Sequence, residues 1–549
     1  MSLTFNPVEF DLATGLYHWI VIMLVVAALA FVTALVTSLL TLGFAGPPMV
    51  LEHMVEGIKD LVGTSPRRCM ALTRLTFREA WRRKTLWVFA VFAVLFLFAG
   101  WFLADVTPDA DLQVKNYVSF VLRTISWLIL PVVLLLACWG LPEDIKARSL
   151  HTVVTKPVRR HEIVLGRIFG FCAIGGFVLV VMALVGYVWI NRQLPSAVGS
   201  QLTARVPVFG DLTFIDNEGN SKDTQGNALK AGINVGDEVM FRSFIEGNTK
   251  ARAIWDFSNL DRSRLDGTGQ LALESSFQSF RTYKGNIERQ LMCQLTLVNP
   301  AKELRVPLKP FEVREFRRNV YDVMAENKAL QDENGKAVTI ADLIDGGKLR
   351  VEAACLSSAQ FLGMARPDLF VRLPDRPFAA SYFKSIFNIG LMMVMVVVLG
   401  VMSGCFLKGP VATMLTAFVV IVGRVAHGFL ESLVTGKVQY NKDLQMQGTG
   451  VLDALYRLPT HMTPGVELED TFMHRVIKVF DSLVLNALWA VQHLFPDFGS
   501  FDTTEYVANA FDVPWAEALL PSLATTCGYV LPWILVGYFS LRVRELEAK

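Results

Sequence analysis

Charged residues are scarce in this chain, and their scarcity excludes several classes of protein. Only 19% of the 549 residues are Asp, Glu, Lys or Arg, whereas soluble domains average about 25%. Residues 12–51 carry no charge at all, although 211–376 are as charged as a soluble domain. The formal net charge of +2 argues against a polybasic nucleic-acid-binding protein and against an acidic tail. With 52% hydrophobic residues, the composition predicts a membrane protein with a large water-exposed domain.

Nucleotide-binding and catalytic motifs are also missing from the sequence. A phosphate-binding loop requires Gly, four further residues, Gly-Lys and then Ser or Thr. The three Gly-Lys pairs, at Gly335, Gly347 and Gly436, lack both flanking features. The sequence contains no nucleophile elbow, zinc-binding helix motif or paired-carboxylate cluster. We therefore expect no enzyme activity, no bound cofactor and no metal on this chain.

Cysteine is sparse, with seven residues and no Cys-x-x-Cys pair or Cys/His cluster, so it predicts no metal site. Five cysteines lie in or near apolar segments, where a small apolar side chain explains them. Cys293 and Cys355 fall in the charged region, which is predicted below to lie outside the cytoplasm, where disulfides form. A disulfide between them and two free core thiols are equal alternatives.

Seven apolar segments reach or approach the roughly 20 residues that a helix needs to cross about 30 Å of hydrocarbon. The sixth is the weakest, because Arg424 and His427 interrupt it. The first lacks a basic start and is far longer than the apolar core of a secretory signal, so we interpret it as a retained anchor. The predicted segments lie within 18–43, 86–104, 124–141, 168–190, 385–407, about 411–430 and 518–541.

Loop charges predict the orientation, because short loops rich in Lys and Arg stay in the cytoplasm. Residues 46–85 contain eight basic residues and 142–167 contain six, so both segments are predicted to be cytoplasmic. The N-terminus is then outside and the C-terminus inside, and the segments 191–383 and 434–517 lie outside. We accordingly expect a multi-pass protein of the cytoplasmic membrane.

The outer segment 191–383 changes from long apolar runs to a period of two. Its alternating apolar residues are bounded by turns rich in Asn, Asp and Gly, which is the pattern of antiparallel strands. We predict a β-rich domain built as a sandwich, with helices over 319–330 and 340–344. The alternating residues are Leu271, Leu273, Leu295, Leu297, Leu304, Val306 and Leu308.

The apolar stretch 472–495 in the second outer segment also contains Arg475, Lys478, Asp481 and His493. An eighth span here would move the C-terminus outside and break the charge pattern. We therefore predict a re-entrant or interfacial helix. An amphipathic helix packed on the outer domain is the alternative.

Residues 65–85, before the second span, form a basic amphipathic pattern. At helical spacing, apolar residues such as Met70, Leu75 and Trp81 share one side, and arginines surround it. This pattern predicts an elbow helix that lies along the inner membrane surface. The residues assigned to it are Arg67, Arg68, Arg74, Arg78, Trp81, Arg82 and Arg83.

The inner loop 142–167 joins the third and fourth predicted spans. A short helix held between two spans would receive force from a cytoplasmic partner, although an ordinary charged hairpin fits the same residues. The run from Val158 is predicted to open the helix of the fourth span. The candidate coupling residues are Glu143, Asp144, Arg148, Lys156, Pro157, Arg159, Arg160 and Gly166.

Together these segments resemble the type 2 ABC-transporter permease family, the membrane subunits of ATP-driven exporters. That family has an acidic residue leaving its second core span, a Gly-Thr-Leu-like triplet, a Pro-Val-x-Arg turn and an Ile-Val-Leu-Gly-Lys-like start of its third. The elbow pattern, the turn at 406–415 and the stretch 472–495 resemble further family features. The chain departs from the pattern at Arg148 and Ser149. The matching residues are Glu143, Leu150, Pro157, Val158, Arg160, Ile163, Val164, Leu165, Gly166 and Arg167.

The resemblance implies a membrane α-helical bundle, with a six-span ABC permease core plus one N-terminal span and an inserted β-rich extracytoplasmic domain. Its last outer segment would contain the re-entrant or interfacial helix. The predicted units are the anchor at 1–45, the cytoplasmic loop and elbow helix at 46–85, three core spans at 86–190, the outer domain at 191–383, two core spans at 384–433, the outer segment at 434–517 and the last span with its tail at 518–549.

The resemblance also implies a function. The loop 142–167 would dock onto a separate ABC ATPase subunit, which would hold the ATP and Mg²⁺. A second permease copy or a similar permease would complete the translocation path within the lipid membrane, with no nucleic acid involved. Arg424 and His427 could face that path, and for Arg424 snorkelling to the interface is an equal alternative. The competing function is a non-transporting membrane anchor whose outer β domain binds a cell-envelope partner.

Overall fold

The fold combines a bundle of long apolar helices with a β-rich domain. A computed structural model of the chain describes residues 10–82, 87–103, 110–146, 159–194, 202–222, 226–233, 242–258, 260, 271–281, 291–313, 318–323, 330–333, 335–344, 346–428, 430, 452, 455–456, 459 and 472–547. In chain order, its helices are α1 (Leu12–Leu42), α2 (Gly46–Val62), α3 (Pro66–Arg82), α4 (Trp87–Leu103), α5 (Ala110–Lys146), α6 (Arg160–Gln193), α7 (Ile340–Leu343), α8 (Phe378–Phe406), α9 (Gly409–Ile421), α10 (Phe472–Leu494), α11 (Thr504–Ala508) and α12 (Leu520–Glu547).

Five helical segments of the described chain are long and apolar enough to cross a membrane. They lie in α1, α5, α6, α8 and the stretch Trp515–Ser540, which includes most of α12. A multi-pass helical membrane protein is therefore confirmed. Two further predicted spans contain helix α4, of which 17 residues are described, and the shorter apolar helix over Gly409–Val425 that begins with α9. The six-span core stays a prediction.

Helix α5 is much longer than the predicted span 124–141. It begins at Ala110 and continues through Pro131 and Pro142 to Lys146. The helix therefore extends beyond the predicted span at both ends, and its last residues lie in the predicted inner loop 142–167. Proline fits a helix in its backbone angle, and neighbouring helices in a membrane bundle compensate for the hydrogen bond that it removes.

The segment before the second predicted span contains two helices where the sequence indicated one. The predicted elbow segment contains helix α3, with bounds at Pro66 and Arg82, and its role as an elbow stays a prediction. Helix α2, over Gly46–Val62, was not predicted. The helix over 472–495 is confirmed as α10, and it is not among the helices apolar enough to span a membrane.

The β-rich domain lies between α6 and α8 and contains antiparallel strands arranged in three sheets. One sheet has the order β1-β13-β5-β10, a second has β2-β4-β11-β7-β8 with β9 also pairing β7, and a third has β3-β12-β6. The strands are β1 (Thr203–Phe209), β2 (Asp211–Ile215), β3 (Ser243–Glu246), β4 (Arg252–Phe257), β5 (Ala272–Ser275), β6 (Gln278–Arg281), β7 (Leu291–Asn299), β8 (Leu304–Pro307), β9 (Phe311–Val313), β10 (Asn319–Asp322), β11 (Leu349–Cys355), β12 (Gln360–Met364) and β13 (Leu369–Pro377).

Most of the alternating residues point into one core, as their period of two predicts. The fully buried ones include Leu271, Leu273, Leu295, Leu297, Val306 and Leu308. The described strands form three sheets, and the packing of these sheets as a sandwich stays a prediction. The helix predicted over 319–330 was wrong at its start. Asn319–Asp322 is strand β10, because it pairs with β5 and buries Tyr321 in the domain core; residues 324–329 lie outside the described part.

Cys293 and Cys355 are neighbours across two strands, but they are not bridged. They are register partners in the pairing of β7 with β11, and both are buried free thiols. The Cys355 thiol points to the carbonyl oxygen of Ser357, at 3.9 Å. Of the two alternatives, the structure therefore has the free core thiols rather than the disulfide. Burial raises the pKa of both thiols, which keeps them protonated and unreactive.

Alkylation of the native protein should therefore spare Cys293 and Cys355. Because only the thiolate reacts, and because both side chains are buried, we expect iodoacetamide at pH 8 to label them on the order of a hundredfold more slowly than in the urea-unfolded chain. Peptide mass spectrometry of both samples measures the difference. Recovery of a peptide pair joined through these two residues would contradict the free-thiol state.

A network of buried polar contacts joins the β domain to the helical bundle. Strand β1 contributes Arg205, which is 1% exposed, pairs with Glu274 and donates to the carbonyl oxygens of Asn509 and Ala510. Its guanidinium lies 4.2 Å from the ring centroid of Phe511. We call Arg205, Glu274 and the segment 509–512 the domain joint.

Helix α8 is attached to the same joint. Strand β13 ends at Pro377 and α8 begins at Phe378 with no residue between them. Asp512, which is 5% exposed, accepts from Arg376 at 2.7 Å and from Lys384 at 2.8 Å. The β domain is therefore fixed to the end of a membrane helix.

Candidate functional site

The predicted coupling residues that the structure describes lie where α3, the end of α5 and the start of α6 meet. This meeting point is on the opposite side of the bundle from the β domain, because the β domain follows the far end of α6. We call it the elbow junction. It consists of the α3 helix with residues 63–65, the last turn of α5 and the first two turns of α6.

Arg167 connects all three elements of the elbow junction. Its Nη1 donates to Glu79 Oε2 on α3 at 2.7 Å, and its Nη2 pairs with Asp144 at the end of α5. The side chains of Arg167 and Asp144 are only 11% and 12% exposed. Hydrogen bonds between such charged partners are stronger than neutral ones, so Arg167 makes the ends of α5 and α6 move together with the elbow helix.

Glu162 makes a second, fully buried connection in the elbow junction. Its carboxylate accepts from the backbone N–H of Ser65 at 2.8 Å and from that of Arg159 at 3.0 Å. The guanidinium of Arg68 lies 3.6 Å away. Beside it, the Thr64 hydroxyl and His161 Nε2 are hydrogen-bonded at 2.8 Å. The segment before α3 is thereby anchored to the first turn of α6.

Close contact between α3 and α6 depends on two glycines. A Cβ added to Gly166 would lie 2.5 Å from Leu72 Cβ, and one added to Gly170 would lie 2.4 Å from Thr76 Cβ. Such distances are far below van der Waals contact, so only glycine allows the two helices to approach this closely. Gly166, predicted as part of a loop, is therefore a helix-packing residue.

The predicted apolar side of the elbow helix is not the side that packs against α6. The side of this helix toward α6 is formed by small residues, with Cys69, Thr76 and Ala80 buried. Met70, Leu75 and Trp81 are exposed on the same helix as the exposed arginines. A helix that exposes both apolar and basic residues suits a membrane surface, and the predicted interfacial position remains a prediction.

The other predicted coupling residues have varied positions. Glu143 is exposed on the last turn of α5, and Arg160 begins α6. The Arg159 guanidinium fills the space beside Gly63, where an added Cβ would meet its Nη1 at 1.9 Å. Residues Arg83, Arg148, Lys156 and Pro157 lie outside the described residues, and so does the predicted short helix of the loop.

Arg424 and His427 lie on the opposite side of the bundle from the elbow junction. A π-helical turn, Val422–Ala426, contains Arg424 and directly precedes His427. Arg424 donates to Asp502 at 3.0 Å, and His427 lies 4.0 Å from Asp497. Arg424 also lies 5.9 Å from the ring centroid of Trp127 on α5. Arg424 is therefore held by an ion pair with the segment between α10 and α11, His427 lies beside a carboxylate of the same segment, and neither residue meets the coupling residues.

Sequence reasoning missed Glu79, Glu162 and His161. Glu162 stands three residues after Arg159, the spacing of a helix-capping carboxylate, but arginine is an unusual residue to begin that motif. Glu79 is the one acidic residue of α3, whose other charged residues are all basic. This contrast in charge could have identified it. Their partners are distant in sequence, as in the 97 residues between Ser65 and Glu162.

No protein family, curated protein or solved structure matches this chain. Among the residues that the structure describes, no group of three or more His, Cys, Asp or Glu side chains could hold a metal ion. The features that bear on function are therefore the geometry of the elbow junction and the helices that lead away from it.

Proposed function

We propose that this chain is the permease subunit of an ATP-driven ABC exporter, coupled to a separate ATPase subunit through the loop 142–167. The observation that supports the proposal most strongly is the contact of Arg167 with both Asp144 and Glu79. A loop that receives force must be attached rigidly to the helices that move. In this chain both ends of the loop are attached to each other and to α3.

Contacts beyond the elbow junction support transmission across the membrane. Helix α6 contacts α8 through the Tyr382 hydroxyl, which donates to the Ala183 carbonyl oxygen at 3.0 Å. Helix α8 in turn continues directly from strand β13. In this proposal, binding of ATP on the partner favours one of two packed arrangements of these helices. A passive anchor for the β domain would need no such connection.

Binding of an ATPase subunit tests the proposal directly. We expect the affinity-tagged full chain, purified from its native membranes, to recover a nucleotide-binding subunit and ATP hydrolysis. The triple change Glu143→Gln, Arg159→Gln and Arg160→Gln removes charge at both ends of the loop. It should lower the recovered ATPase activity by about tenfold or more, since each lost charged contact at an interface costs on the order of 2 kcal/mol.

The matched control is Arg74→Gln with Arg78→Gln, two exposed basic residues of α3 that lie outside the loop. These changes should leave recovery of the ATPase unchanged. If the unaltered chain recovers no nucleotide-binding subunit, the proposal fails and the membrane-anchor function takes its place.

A further inference from the structure

A pocket of about 560 Å³ opens between α4 and α5 on the side of the bundle that carries the β domain. Helix α4 contributes Leu95, and one face of α5 contributes the remaining lining residues. These residues follow helical spacing, in which positions four apart share a face. The pocket therefore follows the α5 helix from its polar beginning into its apolar middle.

The pocket is cationic at one end and apolar at the other. Lys115 and Arg123 belong to its outer part, and Phe120, Trp127 and Leu128 lie beside and below them. Trp127 is 67% exposed. A tryptophan with one polar atom and a large apolar ring favours the boundary between headgroups and hydrocarbon.

Lys115 and Arg123 have no ion pair or hydrogen bond to any residue within the described ranges. The nearby Arg424, by contrast, is paired with Asp502 at 3.0 Å. Lys115 and Arg123 lie about 12 Å apart along one face of α5, and two unpaired cations on the same face of a helix repel each other. A bound anion would relieve this repulsion.

The depth of the pocket indicates where that anion comes from. The segment of α5 that is long and apolar enough to cross a membrane runs over Leu112–Asp144, and Arg123 precedes its last residue by 21 positions, or about 31 Å at 1.5 Å per residue. Since the hydrocarbon layer is about 30 Å thick, Arg123 lies at its boundary on the β-domain side. Lys115, about 12 Å further along the helix, lies among the headgroups, while Leu128 faces the acyl chains.

We propose that this pocket binds an anionic phospholipid from the leaflet on the β-domain side. The phosphate of the headgroup lies between Lys115 and Arg123, and the first acyl carbons pack against Leu95, Phe120 and Leu128. Specificity for an anionic over a zwitterionic lipid comes from the two cations. This inference does not depend on the coupling of the chain to an ATPase.

Native mass spectrometry of the full chain tests the proposal. The chain is equilibrated in mixed micelles with equal amounts of phosphatidylglycerol and phosphatidylcholine, and the retained lipids are counted. We expect a preference for phosphatidylglycerol. Because a basic residue near a membrane surface contributes roughly fivefold in affinity for anionic lipid, Lys115→Gln with Arg123→Gln should lower that preference about 20-fold.

Two further variants keep the result interpretable. Arg192→Gln removes an exposed cation at the same end of α6, outside the pocket, and should leave the preference intact. The exchange Lys115→Arg with Arg123→Lys keeps both charges and should also retain it, which separates loss of charge from misfolding.

Several results would overturn the proposal. One is equal retention of both lipids by the unaltered chain, and another is an unchanged preference in the double glutamine variant. Displacement of the lipid by millimolar inorganic phosphate would assign the pocket to a soluble anion instead. A change of oligomeric state in the glutamine variant without a change in lipid preference would assign this face to a second copy of the chain.

Discussion

Replacement of Arg205 by Gln is expected to destabilise the domain joint by about 3–5 kcal/mol. The substitution leaves the Glu274 carboxylate, which is 2% exposed, without its main partner. It also removes the donors to the carbonyl oxygens of Asn509 and Ala510. Hydrogen exchange measures the effect: the amides of Arg205 and Asp512, which are bonded across the joint, should exchange faster by two orders of magnitude or more.

The β domain offers a matched control for this prediction. Arg350 makes a two-pronged pair with Asp256, at 2.7 and 2.9 Å, but both side chains are more than a third exposed. Exposed pairs contribute little because water and salt screen them, so Arg350→Gln should change exchange at the joint by less than about threefold. Equal effects of the two substitutions would show that burial does not determine the strength of the joint.

A double replacement separates loss of the charge pair from loss of packing. Arg205→Met with Glu274→Leu removes both charges and fills similar space, and such replacements are often neutral. Here the double variant should recover only part of the stability that Arg205→Gln loses. The carbonyl oxygen of Asn509 still loses its donor, and an unsatisfied buried acceptor costs about 1–3 kcal/mol.

The membrane helices could be predicted because their signal is local. An apolar run such as 385–407 specifies a helix by its own composition, and α8 indeed occupies Phe378–Phe406. For the same reason, the period of two correctly predicted a strand at Leu295 and Leu297, which are both buried on β7. A short window of sequence is sufficient to predict a helix or strand whose apolar side chains pack against lipid or against an apolar core.

Prediction failed where a distant partner decides the local structure. Residues 319–322 look helical in isolation, but pairing with β5 makes them a strand. The apolar run 124–141 indicated a span that ends at residue 141, yet α5 continues to Lys146. Packing against neighbouring elements supplies the free energy in both cases, and neither neighbour is visible in a short window of sequence.

In the candidate site too, local patterns could be predicted and contacts between distant residues could not. The clustered charges at 142–167 and the amphipathic pattern at 65–85 indicated the two segments whose described residues meet in the elbow junction. The sequence did not indicate that Arg167 would join Asp144 to Glu79, because 88 residues separate Arg167 from Glu79. At the domain joint, 305 residues separate Arg205 from Ala510. Such contacts require a structure.

Glu162→Ala is the substitution expected to affect the elbow junction most. It removes the acceptor of two backbone N–H groups, those of Ser65 and Arg159, at a fully buried position. Each buried donor left unpaired costs about 1–3 kcal/mol, so the local loss is roughly 2–6 kcal/mol. The segment before α3 should separate from α6, while the β domain stays folded.

Amide exchange and a graded variant check this expectation together. Exchange at Ser65 and Arg159 should accelerate by about 30-fold or more in Glu162→Ala, while amides of β7 and β11 keep their protection. Glu162→Gln keeps one carbonyl oxygen, which can accept from only one of the two N–H groups, so its effect should be intermediate. Unchanged exchange at Ser65 in the alanine variant would mean that Arg167 and the close packing at Gly166 hold α3 on α6 without Glu162. Loss of protection in β7 as well would mean that the elbow junction and the β domain unfold as one unit.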